Sequence, residues 1–116
     1  MNQVIYTQNE INNRPLYPRE LAVLFLLYCC DDGLSHSSLT KLIVDFKGEI
    51  ADKLFRASLI TRGLVTDKWL IIPSGKFIVE KIVKSMSPGR WRNVYAVCTP
   101  EAWKILGKLE KYLIKN

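Results

Sequence analysis

Residues 18–30, PRELAVLFLLYCC, are apolar almost without interruption and stop at Asp31-Asp32-Gly33. Proline suits the first turn of a helix, so the pattern predicts one from Pro18 to about Cys30, buried on most sides. In SHSSLTKLIVDF, Ser35 is placed to cap a second helix whose apolar face is Leu39, Leu42 and Ile43. Lys47-Gly48 break that pattern, and Gly48 can take the positive φ of a tight turn. A third helix is expected from Glu49 to about Arg62. Its inward residues are Ile50, Leu54, Ala57 and Ser58, flanked by Ala51, Phe55 and Leu59. Its outer stripe is Glu49, Lys53, Arg56 and Ile60, with Asp52 alongside.

Gly63 ends this helix in the left-handed conformation, and the short apolar runs Leu64-Val65 and Trp69-Leu-Ile-Ile suggest a tight hairpin around Thr66-Asp67-Lys68. Trp69 is expected to pack that hairpin on the helices. Pro73-Ser-Gly opens a fourth helix, through about Met86, with Phe77, Ile78, Ile82, Val83 and Met86 as apolar positions. Ser87-Pro88-Gly89 should end it. WRNVYAVC (91–98) has the aromatic and β-branched composition of a strand. Thr99-Pro100-Glu101 then combines an N-cap, an N1 proline and an early acid. The last helix carries Ala102, Leu106, Leu109 and Leu113 on one stripe, with Trp103 and Tyr112 beside it. Residues 1–16 show no period and read as a loosely docked arm.

Charge sharpens the functional reading. The 116 residues are 48% hydrophobic, which suits one globular domain, and carry a net charge of +6. Residues 1–46 hold three Lys/Arg against five Asp/Glu, a net of −2, whereas residues 47–116 hold fourteen against six, a net of +8. Such a basic segment fits a polyanionic partner or serves only for solubility. The three cysteines have no metal-ligand spacing and read as buried thiols in a reducing cytoplasm. LAVLFLLYCC falls short of the roughly 20 residues that span a bilayer, and no small-residue cleavage chemistry follows it. No phosphate loop, nucleophile elbow or acidic metal cluster is evident, so no enzyme, metal or cofactor is expected.

LTKLI, the Gly48 turn, LITRGLV and WLIIPSGKFIVEKI together resemble the winged helix-turn-helix domains of MarR-like, PadR-like and small phage-type regulators, over about residues 18–86. The resemblance implies a mainly α fold with a small β-hairpin (α+β). The winged domain would span 17–86, and a strand and helix over 87–116 would serve as a dimerisation element. It also implies that helix 49–62 enters the major groove, with Lys53 and Arg56 near bases and Ser37, Ser38 and Lys41 near phosphates. Lys47 and Lys68 complete that set. Arg90 and Arg92 flank Trp91, where they could grip nucleic acid or sit in a solvated turn. Trp91 and Trp103 are expected to fill a core or a dimer seam. Trp103, Leu106, Leu109, Tyr112 and Leu113 are the expected homodimer contacts, because apolar residues lie on more than one face of the last helix.

The function implied is sequence-specific binding of double-stranded DNA by a cytoplasmic transcription regulator, away from membranes. The alternative is a module that docks on a transcription protein. Glu49, Asp52 and the short wing favour that alternative; the basic segment favours DNA.

Overall fold

Proline marks where four helices begin. The computed structural model describes residues 16–30, 32–44, 59–60, 63–66 and 69–114. Within them lie α1 (Pro18–Tyr28), α2 (His36–Leu42), α3 (Pro73–Ser85), α4 (Pro88–Ala96) and α5 (Pro100–Ile114). Pro18, Pro73, Pro88 and Pro100 each open a helix, where the missing N–H costs nothing and the fixed φ already matches.

α1 is the centre. Residues 20–27 are all buried, and the helix packs against α3, α4 and α5. This is the burial on most sides that its continuous apolar run predicts. The Glu20 carboxylate closes the helix start by accepting from the Tyr17 backbone N–H at 2.9 Å. Ser35 caps α2 as expected, its hydroxyl accepting from the Ser38 N–H at 3.1 Å. Leu39, Leu42 and Ile43 form the buried side of α2. The end of α2 is joined to the link before α5. Ile43 and Cys98 form an antiparallel bridge, and the Thr99 hydroxyl donates to the Lys41 carbonyl at 2.9 Å.

The expectation of an α+β winged domain is corrected. The described residues are mainly helical, with no sheet and no β-hairpin. Where the wing was expected, Val65 and Ile71 form a single isolated bridge. Trp69 is only 3% exposed, and Gly33 sits so close that a Cβ there would meet the Trp69 carbonyl oxygen and the Leu70 side chain. Gly63 does take the left-handed conformation, at φ +70°. Residues 67–68 lie outside the described residues, as do 45–58, which hold most of the expected helix 49–62; Leu59 and Ile60 are helical.

Two more expectations change. WRNVYAVC is helical through Ala96, within α4, and Ser87-Pro88-Gly89 starts that helix as well as ending α3. Ser87 is the N-cap, accepting from the Arg90 N–H at 3.2 Å, and Pro88 is the first helical residue. The inner face of α3 is Gly75, Val79 and Val83, with Ile78, Ile82 and Met86 packed at its edge, while Phe77 points outward.

Candidate nucleic-acid interface

α5 begins at Pro100, as its sequence predicts, and buries the expected stripe. Ala102, Leu106, Leu109 and Leu113 are all within the core of the chain. Three of the five residues expected at a dimer seam, Leu106, Leu109 and Leu113, are therefore covered by the chain itself. Trp103 and Tyr112 remain exposed. The Trp103 indole N–H donates to the Tyr95 carbonyl at 2.8 Å, which ties α5 to α4.

Among the described residues, two carboxylates of the basic segment, Glu110 and Glu80, lie beside tyrosine hydroxyls. The Tyr95 hydroxyl donates to Glu110 Oε2 at 3.0 Å, and burial, reinforced by that carboxylate, pushes Tyr95 up to about 12. Burial likewise raises the Tyr28 hydroxyl, reinforced by the neighbouring Glu80 carboxylate. Glu110 and Glu80 are two of the three carboxylates between residues 73 and 114, a span that holds eight lysines and arginines. The third is Glu101, which is exposed.

The other predicted positions are scattered. Ser37 and Lys41 are exposed on α2, and Ser38 is half-buried with its hydroxyl 3.0 Å from that of Ser35. Ser38 and Lys41 line an open hollow of about 300 Å³ with Leu34, Leu42 and Glu101, so a carboxylate stands where a phosphate was expected. Lys47, Lys53, Arg56 and Lys68 lie outside the described residues. Arg90 and Arg92 lie in α4 rather than a turn, and two helical positions apart they diverge by roughly 200°. Trp91, between them in sequence, is buried against Phe25, ring centroids 5.4 Å apart, and cannot join them in a grip.

A basic row was missed by the motif-led reading. Lys104, Lys108 and Lys111 stand exposed on the solvent side of α5. Their i, i+4, i+7 spacing opposite the buried stripe was the signal that could have found them. Cys98 is buried as expected, but Cys29 is exposed.

No protein-family model, curated protein or solved structure matches this chain. Among the described residues, no helix is long and apolar enough to cross a membrane.

Proposed function

We propose that this protein binds double-stranded DNA as a cytoplasmic transcription regulator. The observation that supports the reading is the net positive charge of the α3–α5 segment, eight Lys/Arg against three Asp/Glu over residues 73–114. A surface of that kind attracts a phosphate backbone and releases its counterions. Base reading is assigned, from the sequence, to Lys53 and Arg56. The test is fluorescence anisotropy with labelled duplexes of mixed sequence across a salt series. Binding that weakens steeply with salt is expected, and selection from a random pool should enrich a motif. Arg56→Ala should relax preference at one base, a change of roughly 1–3 kcal/mol. Absence of binding at low salt would overturn the reading.

A second reading, docking on an acidic transcription protein, draws on Phe77. It is 65% exposed on α3, on the same outer side as Lys81 and Lys84. If Phe77→Ser weakened DNA binding, that face would belong to the nucleic acid instead.

A further inference from the structure

Lys104, Lys108 and Lys111 form a single row about 10 Å long on α5. All three are exposed, and none makes a hydrogen bond or ion pair among the described residues. Like charges at these spacings oppose the helix. The helix tolerates them because its reverse face is anchored by Ala102, Leu106, Leu109 and Leu113. Glu101 lies one turn before the row, and Glu110 is held away by Tyr95.

The row has defined edges. Trp103, 44% exposed, and Tyr112, 63% exposed, stand about a quarter-turn to either side of it. The Trp103 ring is fixed by its bond to Tyr95, and Tyr112 shares a hollow of about 290 Å³ with Lys108, Tyr28, Cys29 and Leu109. Cations between two apolar rims suit a narrow anionic ridge, with phosphates on the lysines and sugars against the rings.

We infer that this face of α5 is the backbone-tracking contact of the protein, each lysine meeting one phosphate of duplex DNA. The inference rests on the DNA-binding reading but places the contact away from the residues that sequence motifs single out. It assigns affinity to α5 and leaves base choice to other residues, because lysine–phosphate contacts carry no sequence information.

The test compares the full chain with K104Q/K108Q/K111Q, using K81Q/K84Q as an α3 control. Each is titrated with a labelled duplex between 50 and 200 mM salt, conditions spanning a useful range for counterion release. The triple variant should lose about 2.7 units of the log K against log salt slope, roughly 0.9 per phosphate contact. The control should lose less than one unit, and K104R/K108R/K111R should keep the parent slope. Matching thermal melts would show that the substitutions act on the surface alone. If the parent binds and the triple variant keeps its slope, the α5 assignment is overturned while DNA binding stands. If the parent binds no duplex even at 50 mM salt, both fail together.

Discussion

Gly33 shows how one residue joins local conformation to the core. Its φ of +79° lies in the left-handed region, and a Cβ would come within 2.7 Å of both Leu70 Cδ2 and the Trp69 carbonyl oxygen. Gly33→Ala should therefore cost at least about 1–2 kcal/mol from handedness alone. The loss would register as a lower urea midpoint with an unchanged m-value. Cys98 gives a chemical check of the same core. It is 3% exposed, and burial pushes its thiol up to about 11, so little thiolate exists at neutral pH. Iodoacetamide at pH 8 should leave Cys98 unmodified in the folded protein and alkylate it once denatured, as peptide mass mapping would reveal. Alkylation of the folded protein at the denatured rate would mean that the link between α4 and α5 is open.

At the scale of elements, α4 is the informative case. Its apolar residues Trp91, Val94 and Tyr95 follow i, i+3, i+4, which is helical spacing. The composition is strand-like, but β propensity mostly reports packing, and here the period and the Ser-Pro start prevail. Ser87→Ala should remove one cap and cost about 1 kcal/mol, measurable by thermal melting. Tyr95 ties α4 to α5 in a pH-dependent way. Its folded pKa is raised from 10.0 to about 12, so its contribution to stability is complete below pH 10 and fades as pH climbs toward 12. Denaturation midpoints between those values should fall for the parent and fall less for Tyr95→Phe. Equal slopes would remove the Tyr95–Glu110 bond from the alkaline behaviour.

For the whole molecule, α1 makes the described helices one cooperative body. It touches α3, α4 and α5, so none of them keeps its inner surface covered if α1 leaves. Leu24 lies at its middle and is fully buried. Leu24→Ala should cost about 2–5 kcal/mol. Helical circular dichroism and tryptophan fluorescence should still fall together, because Trp69 and Trp91 share that core. Separate transitions would mean that α5 or the Trp69 loop folds on a core of its own.

Local chemistry was legible in the residues themselves. Pro18, Ser35, Pro73 and Pro100 determine helix starts, since capping and a fixed φ act within one turn. Gly63 fixes a left-handed stop, and the 102/106/109/113 stripe declares which side of α5 is inward. What the pattern could not settle was the destination of residues with two plausible neighbours. Trp69 is buried, and Gly33 leaves room for its carbonyl oxygen and for the Leu70 side chain, a contact between residues more than thirty positions apart that no local pattern specifies. Phe77 was left outside because α3 meets α1 and α5 through Val79 and Val83, and the angle of that packing is fixed by the partner helices. The lysine row was legible as the face opposite the 102/106/109/113 stripe, but its exposure was decided only once α5 was seated against the core. Sequence sets dihedral angles and periods over a few residues; which face meets which neighbour depends on contacts distant along the chain.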